Sequence, residues 1–192
     1  MNATGKQGKL VILSGPSGVG KSTICRQVVG RLGATLSVSA TTRPQGAAEI
    51  DGKDYFFLSP QEFVQRLEQG EFLEYAEVFG NAYGTPRTPV EKAMAEGHVV
   101  ILEIDVQGAM QVKAKMPEAM MIFILPPRTE ELQKRLEARG RGEDQQARNK
   151  RLAKAEAEIA IAHQQYEYFV VNEVLDKAVQ DVIAIIQGHE NH

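Results

Sequence analysis

Gly15-Pro16-Ser17-Gly18-Val19-Gly20-Lys21-Ser22 matches the pattern G-x-x-x-x-G-K-[ST] in full. Upstream, Lys9 to Ser14 is a short aliphatic run that stops at Gly15-Pro16 and reads as a buried strand. Downstream, Ile24, Val28 and Leu32 recur at helical spacing from Lys21 onward, with Gly30 and Gly33 near the end. A strand, a glycine-rich loop and a helix in that order form a phosphate cradle. The glycines let successive backbone N–H groups turn toward phosphate oxygens, and the helix presents its positive end to them. Lys21 would set a cation against β- and γ-phosphates, and the Ser22 hydroxyl can hold a magnesium ion.

Outward from this loop the chain alternates. Continuous apolar runs at Val99 to Ile104, Met120 to Leu125 and Tyr168 to Val171 predict strands, with further strands expected at Leu36 to Ser39, Tyr55 to Leu58 and Phe72 to Val78. Ser59-Pro60-Gln61-Glu62 has capping-box spacing with proline at the first helical position, so a helix is expected from there to Gln69. Thr88-Pro89-Val90-Glu91 has the same form and should open a helix that Gly97 ends. Later helices are expected over Glu130 to Arg139, Gln146 to His163 and Leu175 to Ile186. Apolar strands separated by helices predict a parallel sheet covered on both faces. Thr41 to Thr88, with short strands and tight turns, reads as a mixed β insertion beside it. Gly140 to Arg148 is a polar break between two helices and a candidate lid.

Composition narrows the function classes. The chain has 192 residues, 43% hydrophobic and 24% charged, which fits one globular domain with a lid-like insertion. A net charge of -3 and a pI near 5.9 give no global field toward nucleic acid or an anionic membrane. No apolar run reaches membrane length, and the single cysteine, Cys25, excludes an internal disulfide framework and fits a reducing compartment. The expectation is a cytoplasmic protein with neither a nucleic-acid nor a membrane partner. Cys25 reads as a small core thiol, and no His/Cys/Asp spacing suggests a metal cage built by protein alone.

The strand from Val99 ends in acids, Glu103-Ile104-Asp105. Carboxylates at the C-terminal edge of such a sheet face the crevice where ligands bind. Asp105 could hold a metal through water, read a substrate, or cap a helix beginning at Val106.

Further stretches give the chain a family likeness: Ser37-Val38-Ser39-Ala40-Thr41-Thr42-Arg43, Gly52-Lys53-Asp54-Tyr55, Phe72-Leu73-Glu74-Tyr75, Tyr83-Gly84-Thr85, Ile104-Asp105-Val106-Gln107-Gly108 and Val171-Asn172. With the loop, they resemble guanylate kinase from about Lys9 to Ile186. The resemblance implies an α/β fold: a P-loop NTPase core with a parallel sheet flanked by helices, a mixed β GMP-binding insertion and a helical lid. In residue numbers, the core would span 1–40 and 89–192, including a lid at about 127–163, and the GMP-binding region 41–88. It implies transfer of the γ-phosphate of ATP to GMP or dGMP, giving ADP and GDP from GMP, with magnesium.

The resemblance also assigns roles. The donor nucleotide would lie on Gly15 to Ser22 with Thr23, and Asn172 would stand near the adenine. Ser39, Arg43, Tyr55 and Tyr83 would hold the GMP phosphate. Glu74, Thr85 and Asp105 would read guanine, with Glu103 nearby. Lys21, Arg139 and Arg151 would act on the transferring phosphoryl group, together with Arg43. These types suit the chemistry. Guanine presents N1–H and an amino group, which acceptor-only carboxylates satisfy, and an arginine fork with tyrosine hydroxyls suits a phosphate monoester. A non-catalytic module of similar shape would lack the loop lysine, whereas Lys21 and Ser22 are both present. A kinase of similar fold with another phosphate acceptor would not need Glu74, Thr85 and Asp105 together.

Three departures from the family pattern stand out. Gly46 occupies the place of a second arginine in T-T-R-x-P-R-x-G-E, leaving Arg87 as the nearby cation that could replace it. The lid stretch from Gly140 to Gln146 lacks the usual Thr/Ser-and-Glu pattern and is one residue longer, which bears on the placement of Arg151. Glu173 follows Asn172 where aspartate is usual.

Overall fold

The computed structural model describes residues 8–128 and 145–188. The expected helix over Glu130 to Arg139, with Arg139 itself, and the start of the candidate lid lie outside the described residues. Strand β1 (Lys9–Ser14) is the middle of a five-stranded sheet ordered β2-β7-β1-β8-β9, with β2 at Thr35–Leu36, β7 at Val99–Glu103, β8 at Met120–Leu125 and β9 at Tyr168–Val171. Every pairing in it is parallel.

The unbroken apolar runs follow from burial on both faces. Leu10, Ile12, Val100, Leu102, Met121 and Phe123 join one buried cluster, while their neighbours Val11, Leu13, Ile101, Ile122 and Ile124 join another. The first face is covered by α3 (Arg87–Ala95), α4 (Val106–Lys115) and α5 (Gln145–Gln165), through Val90, Val112 and Ala162 among others. The second is covered by α1 (Lys21–Leu32) and α6 (Leu175–Gln187), through Ile24, Val28, Val179 and Val182.

A four-stranded mixed sheet stands beside this core, ordered β4-β3-β6-β5: Phe56–Phe57, Ala40–Thr41, Asn81–Pro86 and Phe72–Val78. It begins at Ala40, one residue before the expected boundary. Helix α2 (Pro60–Glu68) packs on it, Phe63 stacking on Phe72 with ring centroids 4.5 Å apart. Its capping box is formed: the Glu62 N–H donates to Ser59 Oγ at 3.2 Å, and the Ser59 N–H to Glu62 Oε2 at 2.9 Å.

Several sequence expectations need correction. The strand expected at Leu36 to Ser39 is only Thr35–Leu36, and that at Tyr55 to Leu58 only Phe56–Phe57. Helix α3 starts at Arg87, with Pro86 as its cap and no capping side chain, so the box expected at Thr88 is not formed. The Arg87 N–H donates to the Glu71 carbonyl at 2.7 Å, which carries the β-pairing straight into the helix. Strand β6 has no counterpart among the expected strands, because Gly84 and Pro86 read as turn residues. Gly84 is glycine because a Cβ there would stand 2.9 Å from Phe72 Cδ1 and 3.0 Å from the Glu74 carbonyl oxygen.

The two-residue turn between β5 and β6 carries positive φ at both positions, 51° at Phe79 and 76° at Gly80. Such a turn favours Asn-Gly, whereas a bulky residue in the left-handed region costs about 1–2 kcal/mol. Phe79 is also 97% exposed. Phe79→Asn is therefore expected to stabilise the fold by about 1 kcal/mol, read as a higher midpoint in urea with an unchanged slope.

Candidate active site

The glycine-rich loop leaves the C-terminal end of β1, and the register Leu13↔Glu103 sets the end of β7 beside it. Ser14 Oγ donates to the Ile104 carbonyl at 2.9 Å, tying the two strand ends together. Lys21, the first residue of α1, bends back over the loop and donates to the carbonyls of Gly15 and of Pro16, the latter at 3.2 Å. Ser22 Oγ donates to Glu103 Oε1 at 2.5 Å. Hydroxyl and carboxylate oxygens at this spot are hard donors of the kind magnesium takes alongside phosphate oxygens, so the residues present fit that ion. No cluster of three His, Cys, Asp or Glu side chains among the described residues forms a metal cage.

Two carboxylates meet over Gly108. Glu74 and Thr85 are cross-strand partners on β5 and β6, and Thr85 Oγ1 donates to Glu74 Oε1 at 2.7 Å. A Cβ on Gly108 would stand 2.8 Å from Glu74 Oε2, so glycine is what admits the carboxylate there. Asp105 caps α4 by accepting from the Gly108 N–H at 2.9 Å through Oδ1. The helix-cap reading of Asp105 is thus realised, with one oxygen committed to the cap. Glu74 is 6% exposed. Burial pushes its carboxyl above the ordinary range, the Thr85 hydroxyl opposes that, and the Asp105 charge adds to it.

A third cluster surrounds Arg43. Its guanidinium makes a fork on Glu49, with Nη2 to Oε1 at 2.6 Å and Nη1 to Oε2 at 3.0 Å, and Nη1 also donates to the Pro44 carbonyl at 2.9 Å. The group lies 5.4 Å from the centre of the Tyr55 ring and 5.7 Å from that of Phe57. Tyr83 meets Tyr55 edge-on at 6.0 Å. Arg43 holds its proton more firmly than usual, chiefly through Glu49, with Tyr83 contributing. The Glu49 carboxyl is lowered in turn by Arg43 and by the Gly46 N–H, which donates to its Oε2 at 2.7 Å. Ser39 lies just before β3, its carbonyl accepting from the Phe56 N–H. Burial raises the Tyr55 phenol, and Glu103 is among the charges that act on it. Arg87 stands elsewhere, pairing with Glu91 at 3.4 Å at the start of α3, at the far end of β6 from the Arg43 cluster.

Helix α5 carries Glu158, which pairs with Lys154 one turn earlier at 3.8 Å. Burial raises its carboxyl, while the charges of Lys154 and then Lys21 pull it down. Arg151 lies about two turns earlier on that same helical face. Asn172 lies just past the end of β9, its side-chain amide donating to the Val19 carbonyl at 2.8 Å. Cys25 is fully buried, its thiol pushed up to about 12 by burial and by Glu103, in keeping with a core thiol.

Sequence reasoning missed Glu49 and Glu158 and did not pair Glu103 with Ser22. The Arg43–Glu49 pair lies in an irregular loop, where spacing carries no periodic signal. Glu158 was legible only as the polar member of a mixed helix face.

The family model for guanylate kinase matches residues 7–189. The chain is 48% identical over 182 residues to a guanylate kinase of Thermus thermophilus, covering 95% of this chain and 81% of that one. It is 47% identical over 189 residues to that of Synechocystis, covering 97% of both. Among solved structures, the guanylate kinase of Anaplasma phagocytophilum superposes with a TM-score of 0.75 at 33% identity, over 97% of this chain and 88% of that one.

Proposed function

We infer the reaction from one premise, that this chain belongs to the guanylate kinase family: it transfers the γ-phosphate of ATP to GMP, giving ADP and GDP. The observation in the molecule that carries this reading is the buried Glu74 carboxylate, held by Thr85 and facing Asp105 across Gly108 beside a phosphate-binding loop. A carboxylate kept dry and only partly satisfied awaits donors, and guanine's N1–H and amino group supply them. An ADP-release assay with GMP, dGMP, AMP, UMP and a sugar phosphate tests it. Turnover confined to GMP and dGMP is expected.

In this reading ATP lies with its phosphates on Gly15, Pro16, Ser17, Gly18, Val19, Gly20, Lys21, Ser22 and Thr23, and its adenine near Asn172. The GMP phosphate is held by Ser39, Arg43, Tyr55 and Tyr83. Its oxygen attacks the γ-phosphorus; that O–P bond forms as the bond to the β–γ bridging oxygen breaks, and ADP leaves with the electron pair. The protein contributes position and charge rather than covalent chemistry. Lys21 and Arg151 supply positive charge to the equatorial oxygens, and Arg139 has the same assignment by family resemblance. Ser22, with Glu103 oriented by its hydroxyl, would hold magnesium, and the ion would supply neutralisation of charge on the β- and γ-phosphates. The region 41–88 serves as the GMP-binding unit, 1–40 with 89–192 as the core, and 127–163 as the lid. The reaction is assigned to the cytoplasm; no described helix is long and apolar enough to cross a membrane.

The loop of Gly46 sets the affinity for the acceptor. Arg43 shares its charge with Glu49, and Arg87 is engaged by Glu91, so the phosphate meets little net positive charge. A charge-assisted hydrogen bond is worth about 1.5–3 kcal/mol, so an added arginine would tighten binding by about 10- to 150-fold if nothing opposed it. Here a Cβ on Gly46 would stand 2.9 Å from Glu49 Oε2, which must shift to admit it. Gly46→Arg is therefore expected to lower the KM for GMP by about tenfold, the low end of that range, with kcat little changed. Steady-state kinetics checks this, and an unchanged KM in a folded variant would mean that the phosphate is already fully held.

A further inference from the structure

The loop's carbonyls need donors of their own. Where backbone N–H groups turn inward to a phosphate, the carbonyls between them turn away, and buried ones must still be paired. Lys21 covers those of Gly15 and Pro16. Its ammonium is the group that the donor's phosphates draw off. The Val19 carbonyl is taken instead by Asn172, whose side-chain amide donates to it at 2.8 Å from a residue only 7% exposed. Asn172 is itself anchored, its backbone N–H donating to the Leu125 carbonyl at 2.8 Å, at the end of β8.

Gly20 records the same contact. Its φ is +100°, and a Cβ there would lie 2.6 Å from Asn172 Nδ2. Glycine thus provides both the backbone conformation and the room for the amide. Gly20 is also the N-cap of α1, with the N–H groups of Thr23 and Ile24 donating to its carbonyl at 3.1 Å. The residue that Asn172 lies against is therefore the junction between loop and helix.

We propose that Asn172 is a positioning residue for the phosphate-binding loop, holding the Val19 carbonyl outward so that the Gly20 and Lys21 N–H groups face the donor's phosphates. This differs from the family-implied place beside adenine, because a loop holder acts on any polyphosphate whatever its base. The proposal rests on the reading of this loop as the donor site, and wild-type turnover of GMP with ATP checks that reading separately.

The test compares ATP with inorganic tripolyphosphate, a base-free probe used as a competitive inhibitor against ATP. In Asn172→Ala, the KM for ATP and the inhibition constant of tripolyphosphate are expected to rise by the same factor, about tenfold for one hydrogen bond. The KM for GMP should change less than about twofold on that basis. Asn172→Asp, the same shape without a donor, should be worse than alanine, because it sets a carboxylate against the Val19 carbonyl. Asn172→Ser, a shorter donor, should recover part of the loss. A weaker KM for ATP with unchanged tripolyphosphate inhibition would overturn the proposal in favour of an adenine contact. So would an aspartate variant that binds both like the wild type. Should the alanine variant fail to fold, the isosteric aspartate variant carries the same comparison.

Discussion

Lys21→Met is expected to cut kcat by at least about a hundredfold, the scale of losing one preorganised charge at a transferring phosphoryl group. The side chain is already in place, at the first position of α1 and bent over the loop onto the carbonyls of Gly15 and Pro16. Since the charge acts on the transferring group and not on GMP, the KM for GMP should move less than kcat. Arg151→Ala should fall in the same direction for the same reason, from the face of α5 that also carries Glu158. Loss of Lys21 also removes two loop hydrogen bonds, so the KM for ATP should rise as well. Rapid-quench and steady-state kinetics on a variant with a wild-type circular-dichroism spectrum separate these effects. Turnover of the methionine variant near the wild-type rate would overturn the role given to the loop.

The core was legible because its signals are local. The run Met120–Leu125 coincides with β8, since a strand buried on both faces has no polar positions to blur its ends, and Tyr168–Val171 coincides with the edge strand β9, where only Val170 is fully buried. The capping box at Ser59 and the stop at Gly97 also depend on neighbours in sequence. The mixed sheet was harder. Strand β6 is defined by what lies across it, Phe72, Glu74 and Thr41, and its own glycine and proline argue against a strand. The site divides along the same line. Glu74, Thr85 and Asp105 carry family motifs, yet only the fold shows that they meet over Gly108. That Asn172 reaches Val19 across 153 positions has no counterpart in spacing at all.

The wild-type protein is expected to use GMP in preference to AMP by roughly 10⁴-fold in kcat/KM, the scale reached when a site's buried polar groups are left unpaired by the wrong substrate. The selectivity follows from the state of Glu74. Its Oε1 already accepts from Thr85, and its Oε2 lies buried against the Gly108 backbone beside the Asp105 carboxylate. Guanine brings donors to these acceptors. Adenine turns an unprotonated ring nitrogen toward them, so acceptor faces acceptor. Glu74→Gln keeps the shape and the bond from Thr85 but exchanges one acceptor for a donor, and it should reduce the preference by at least about a hundredfold, with the loss falling on GMP. Asp105→Asn should act in the same direction and also weaken the cap on Gly108. The glutamine variant has a second readout, independent of substrate. A carboxyl whose folded pKa is raised binds its proton more tightly in the folded state, so its contribution to stability is present below the unfolded pKa and is lost as pH rises through the folded value. Glu74→Gln removes that loss. It should therefore melt higher than the wild type at neutral pH, with the difference shrinking toward about pH 4, where the unfolded carboxylate is itself taking up its proton. A variant that gains stability while losing GMP would show that burial of this carboxylate is maintained at the expense of the fold because guanine requires it. AMP turnover within about tenfold of GMP in the wild type, or a Glu74→Gln protein with undiminished selectivity, would remove these carboxylates from the recognition of the base.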